Sequence, residues 1–397
     1  MSEETIKILK MLEGGKISSK EADSLLSALG RDKPGWDHRH SHCDRDHHHF
    51  NGGRDDLHET LRGINPGKIV AEAMASVRES FKDFDDIHID LGGIQGSEKA
   101  GEEKEMTLPA AGITCLSINQ PRSDFEIIGA ETDRISIKAD IQVWAEDKAE
   151  AGEKLKSLDI STETEGGVLK VKVDGPPWTK KRRAKVDFII EMPKNIAADI
   201  SSASGEISVR DLFAGCRLNT ASGEIEISGC QGENHLSTAS GDVTASGCTK
   251  ASLKINTASG DIEVNDCSGE LSFQTVSGDV SLSTAGDLQG QTVSGDIDIQ
   301  MEKTGQIKVR STSGDIQFQG PVAEGSTAAM ATVSGDVSVD LGQNSSAAIE
   351  ASTVSGEIDC EMDLAGLRQG SRSLSGKLGG GQGSLSVKTV SGDITIS

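Results

Sequence analysis

Leu253-Lys254-Ile255-Asn256-Thr257-Ala258-Ser259-Gly260-Asp261-Ile262-Glu263-Val264 is the stretch that decides the fold. Apolar and polar residues alternate on both sides of a Ser-Gly-acid tripeptide. That is the two-residue period of a half-buried strand, interrupted by a corner. The tripeptide recurs, centred on Gly205, Gly223, Gly241, Gly260, Gly278, Gly295, Gly314, Gly335, Gly356 and Gly392, with a degenerate copy at Ser375-Gly376-Lys377. By subtraction, neighbouring motif glycines are 16 to 21 residues apart when Gly376 is counted. A period near ~20 residues marks a solenoid, in which each coil buries its apolar face only against its neighbours.

The position two after the glycine is Ile or Val in all ten regular copies, Ile262 and Val280 among them, and Leu378 in the degenerate one. Stiff β-branched side chains suit a packed pleat. Glycine supplies a backbone that other residues adopt with difficulty, and the flanking Ser and Asp or Glu can bond local backbone donors. The expected fold is mainly β: a parallel β-solenoid (β-helix) over 201–397, its eleven coils reaching roughly 50 Å at ~4.8 Å per coil.

With 63 acidic against 40 basic residues the net charge is -23, which excludes sequence-independent nucleic-acid binding and docking on anionic lipid. The exception is Lys180, Lys181, Arg182, Arg183 and Lys185, read first as a solvated loop and second as a docking patch for an acidic partner. Only 35% of residues are apolar, below the usual ~45–50%, which a thin solenoid core tolerates. The absence of tyrosine and the scarcity of tryptophan (Trp36, Trp144, Trp178) argue against aromatic platforms for sugars or bases. Neither a signal peptide nor a run of ~20 apolar residues is evident, so a cytoplasmic protein with peripheral envelope association is expected.

Upstream of the repeats the chain divides into a helical hairpin module (1–31), a His-rich linker (32–64), an amphipathic helix (65–86) and an irregular β lead-in and cap (106–200). The module carries Ile8, Leu9 and Leu12 on its first helix, and a capping box at Ser18-Ser19-Lys20-Glu21 opens the second. His38, His40, His42, Cys43, His47, His48 and His49 are candidate metal ligands by residue type, though the linker imposes no geometry on them. Val70, Met74, Val77 and Phe81 form a seam on one helix face. In the lead-in, Glu165-Gly166-Gly167 reads as a hairpin turn, and the Lys/Glu/Ala-rich stretch between Trp144 and Leu158 as a short helix.

Cys230, Cys248 and Cys267 each fall seven residues after a motif glycine and should stack on adjacent coils as core filler, with Cys216 outside that register. The acids of the motif should form a column in which neighbours repel by about 1 kcal/mol in water. Backbone and serine donors are the simpler compensation, and bound divalent cations the alternative.

The Thr-Ala/Val-Ser-Gly-Asp/Glu-Ile/Val copies from Ser201 to Ile396, with the lead-in strand Val186-Asp-Phe-Ile-Ile-Glu-Met-Pro193, resemble the bacterial β-strand-repeat family known as "putative adhesins", YvlB-type proteins included. Ile8 to Ile17, followed by Glu21-Ala22 and Leu25-Leu26, resembles the SHOCT-like helical module. The resemblance implies an association with bacterial envelope stress and supplies no catalytic residue and no cofactor.

Acids that repeat uniformly, isolated arginines and a single histidine in the repeats (His235) do not make the local cluster that a polysaccharide lyase or hydrolase needs. The expected role is a non-enzymatic scaffold or protein-interaction protein. A divalent-cation or surface-ligand binder of adhesin type is the alternative. Partners are another protein or a second copy, through the N-terminal helices or through an open final coil ending at Ser397.

Overall fold

The computed structural model describes residues 98–176 and 184–397, together with Gly67, Val70, Ala71 and Ala75, which are helical. The 1–31 module, the linker with His38, His40, His42, Cys43, His47, His48 and His49, and Lys180, Lys181, Arg182 and Arg183 lie outside the described residues.

Residues 113–397 wind into a β-solenoid. The strand before each corner stacks in parallel on its counterpart: Ala197–Ser202, Cys216–Thr220, Gly232–Ser240 and Thr249–Ser259 pair in turn, and the stack continues through later coils. The strands after the corner form a second parallel ladder, from Ile207–Arg210 through Ile225–Ser228 and Val243–Ser246 onward. Between them runs the column the alternation foretold, including Leu218, Ile225, Ile255, Ile262, Val264, Phe273, Ile299 and Phe318, all buried. Phe273 fits because Gly290, one coil on, has no side chain: a Cβ there would lie 2.1 Å from the ring.

Stacking order departs from chain order at both ends. Strand Gly383–Lys388 lies between Thr327–Ala331 and Ala347–Ser352, and Ile394–Ile396 lies between Val337–Leu341 and Ile358–Cys360. Coil 383–397 is therefore inserted one place in from the end of the stack. At the other end, Cys115–Asn119 sits between Val168–Asp174 and Ala197–Ser202, and Phe125–Ala130 between Ala184–Pro193 and Ile207–Arg210. The expectation of an open final coil is thus overturned, because both edges of Ile394–Ile396 are already occupied.

Antiparallel strands close the stack. Ala184–Pro193 pairs with Arg134–Ala145, which pairs with Glu98–Pro109. Helix Lys148–Lys156 packs here on Ala151 and Leu155, and the Asp147 carboxylate caps its start by accepting from Glu150 N at 2.8 Å. Gly166 and Gly167, with φ of +59° and +85°, turn Asp159–Glu165 into Val168–Asp174.

At the far end, Ser373–Lys377 runs antiparallel to Ala347–Ser352 and carries Ala365–Gln369 on its outer edge. The degenerate copy is therefore not a coil: Gly376 faces Ile349 within an antiparallel strand. Lys377 stands where the regular copies carry Asp or Glu, and Leu364 packs 2.8 Å from the place a Gly376 Cβ would occupy.

Candidate functional site: the Ser-Gly-acid flank

Stacking places the motif glycines in one column, in the order Gly205, Gly223, Gly241, Gly260, Gly278, Gly295, Gly314, Gly335, Gly392, Gly356. A Cβ at Gly223 would sit 2.0 Å from the Gly205 carbonyl oxygen, and one at Gly278 would sit 2.2 Å from that of Gly260. Close approach of stacked corners is thus the requirement shared by the column. Positive φ adds to it at Gly278 (+128°) but not at Gly205, Gly223 or Gly241.

The threonine three before the glycine has a role the sequence reading missed. It is buried, and at several corners its hydroxyl crosses to the preceding one: Thr220 Oγ1 donates to Gly205 O at 3.2 Å, and Thr332 Oγ1 to Gly314 O at 3.2 Å, whereas Thr275 and Thr292 donate to Ser277 O and Ser294 O of their own corners. Thr389 donates to Gly335 O and Thr353 to Gly392 O, each at 3.1 Å. Recurrence of Thr at a core position of an otherwise aliphatic column was the available signal. Ser stands in for Thr in two coils: Ser202 Oγ donates to Ser123 O at 3.3 Å, and the buried hydroxyl of Ser311 finds no partner.

Motif serines and acids are exposed along the rod. Each aspartate accepts the backbone N–H of the acid on the next coil: Asp261 N donates to Asp242 Oδ1 at 2.8 Å, Asp279 N to Asp261 Oδ1 at 2.8 Å, and Asp296 N to Asp279 Oδ1 at 2.9 Å. The chain continues from Asp315 N to Asp296, Asp336 N to Asp315, Asp393 N to Asp336 and Glu357 N to Asp393, at 2.7–2.8 Å. A hydrogen bond to a charged acceptor contributes about 1.5–3 kcal/mol. That outweighs a repulsion of about 1 kcal/mol between exposed neighbours. Backbone donors supply the compensation; the serine hydroxyls are not part of it in the described structure.

Among the described residues, concavities border this flank and the lead-in. One of about 560 Å³ is lined by Asp261, Asp279, Asp296 and Asp315 with Glu263 and Asp298. A second, about 290 Å³, follows the corners from Asp124 to Asp242. Another, about 240 Å³, lies between Gln120, Arg122, Leu158, Val173 and Val186. Nearby, Lys185 bridges Asp124 (2.5 Å) and Asp187 (3.0 Å). Burial raises the Asp187 carboxyl, while the two carboxylates raise Lys185 against the opposing effect of its own burial.

Cys230, Cys248 and Cys267 do stack, all buried, and their thiols donate to backbone carbonyls: Cys230 to Ser228 O and Cys248 to Ser246 O at 3.5 Å, and Cys267 to Asn265 O at 3.3 Å. Burial raises the thiol of Cys216. Among the described residues no group of three or more His, Cys, Asp or Glu is arranged to hold a metal ion. His235 lies in register between Arg217 and Lys254, and partial burial followed by these two cations lowers its pKa.

A family model described as Toastrack DUF4097 matches residues 113–327 and 291–397, the solenoid and the lead-in just described. The chain belongs to the Toastrack DUF4097 family. Solved structures similar to this Toastrack chain include a "putative cell adhesion protein" of Clostridium sporogenes, at 12% identity over 75% of this chain and 99% of that one, with a TM-score of 0.20. A "putative adhesin" of Parabacteroides merdae matches at 11% identity, 75% and 96% coverage and a TM-score of 0.27. A "putative lipid binding protein" of Parabacteroides distasonis matches at 13% identity, 75% and 96% coverage and a TM-score of 0.26. No curated protein matches the sequence. Among the described residues, no helix is long and apolar enough to cross a membrane.

Proposed function

We propose that this Toastrack protein is a non-enzymatic scaffold that engages a protein partner along its Ser-Gly-acid flank. The observation that carries the reading is the ladder itself. Its aspartates accept from neighbouring backbone N–H groups and its serines form an exposed, regularly spaced row, so the flank offers repeated contact instead of one reacting centre. In this reading the protein is cytoplasmic and touches the envelope peripherally.

Photo-crosslinking in cells tests it, with the reactive residue at Ser277 or Ser294 on the flank or at Lys308 on another face. A discrete protein adduct from the flank sites alone is expected. Equal adducts from every site, or none, overturn the reading, and fractionation of the same cells reports the compartment.

The second reading, a divalent-cation binder of adhesin type, is favoured by one observation: the acid-lined groove of about 560 Å³. Calcium titration followed by melting temperature separates the two. The scaffold reading expects no shift at millimolar calcium, and a saturable rise with loss in Asp279→Asn supports the binder.

A further inference from the structure

We infer that coil 383–397 is an exchangeable insert, and that a second copy of this chain can supply it, giving a reciprocally coil-exchanged dimer. The inference stands on topology and is independent of what the Ser-Gly-acid flank contacts.

The insert fills a slot between two coils that precede it in the chain. Ser391 bridges Ser334 on one side and Ser355 on the other. Thr389 Oγ1 donates to Gly335 O, Asp393 N to Asp336 Oδ1, and Glu357 N to Asp393 Oδ1. Its apolar residues Leu385, Val387, Ile394 and Ile396 are fully buried. None of these contacts depends on covalent continuity with the rest of the same molecule. A copy of the coil arriving from another chain makes every one of them.

The connection is what makes release feasible. Strand Ser373–Lys377 lies outside Ala347–Ser352 and strand Gly383–Lys388 lies inside it. Residues 378–382, Leu-Gly-Gly-Gly-Gln, must therefore cross over the start of the strand between them. The crossing is tight: Ala347 N donates to Leu378 O at 3.1 Å and Gly383 N to Ser346 O at 2.7 Å, while Gly379 and Gly381 hold φ of +58° and +65°. Short constrained hinges invite exchange, because the closed and exchanged forms share their other contacts and differ mainly at the hinge. Straightened, five residues span about 17 Å at ~3.3 Å each, enough to leave the slot and enter a neighbour's.

The slot also selects its occupant. It requires a buried threonine hydroxyl, a glycine whose missing Cβ clears the Gly335 carbonyl by standing where an atom would be 2.0 Å away, and an aspartate one residue on. The earlier coils carry similar motifs but are built into the stack, so a second chain's 383–397 is the matching unit.

Ser338 and Thr395 are exposed register partners across the slot boundary. Adjacent strands bring Cα atoms to ~4.8 Å, inside the disulfide range. The double variant Ser338→Cys with Thr395→Cys should oxidise within one chain, which confirms native placement of the insert. Chains carrying Ser338→Cys alone and Thr395→Cys alone are then mixed at high concentration, loosened with sub-denaturing urea, returned to buffer and oxidised. The expected result is a heterodimer whose disulfide peptide mapping places between positions 338 and 395. Light scattering should also detect dimer in the unmodified protein and lose it in the internally oxidised double variant. If the double variant closes internally while the mixed chains give no link between those two positions, the inference is overturned.

Discussion

At the scale of single residues, the glycine and the acid of the corner do different jobs. Gly278 combines a φ of +128° with a carbonyl 2.2 Å from any added Cβ. Gly278→Ala should therefore cost about 2–4 kcal/mol, read from urea unfolding. Asp279 accepts Asp296 N. Asp279→Ala leaves that N–H to water and should cost about 1–2 kcal/mol, whereas Asp279→Asn keeps an acceptor and should cost less.

His235 gives a pH test. Its folded pKa is depressed, so as pH falls below the usual 6.5 the unfolded chain takes up a proton that the native one resists. Stability is thereby lost on acidification, until the folded form also protonates. His235→Gln should narrow the drop in melting temperature between about pH 8 and about pH 5; an unchanged drop would contradict this.

At the scale of the element, one coil is legible almost entirely from its own sequence. Alternation placed Ile262 and Val264 inside, the tripeptide placed the bend, and the seven-residue offset placed Cys230, Cys248 and Cys267 in one column. Cys248→Ser puts a more strongly solvated group at a fully buried site and should cost about 1–3 kcal/mol, while Cys248→Ala should be milder by calorimetry. The threonine hydroxyl was not legible as a tie between coils, because its acceptor belongs to a different repeat and no local pattern names that neighbour. For the same reason Gly376 counted as a corner in sequence: the motif's Ser-Gly survives there, and only Lys377 and the packing of Leu364 mark the strand as antiparallel. The acid column was foreseen, and its compensation by backbone donors was one of the two readings the sequence left open.

At the scale of the whole molecule, the information that escaped the sequence is order. Near-identical coils carry no address, so Val337 is as good a ladder partner for Ile358 as for Ile394, and only the tertiary structure selects Ile394. That selection alters how the rod responds to load. A coil stacked last peels away one hydrogen bond at a time. Tension drawn on Ser397 instead meets strands on both flanks, bonded on one of them through Ser397 N to Val339 O and Leu341 N to Ser397 O. Both rows must yield together in shear. Optical-tweezer pulling from Ser397 should give a higher first rupture force than pulling from a handle at Cys360, which holds the stack by one ladder.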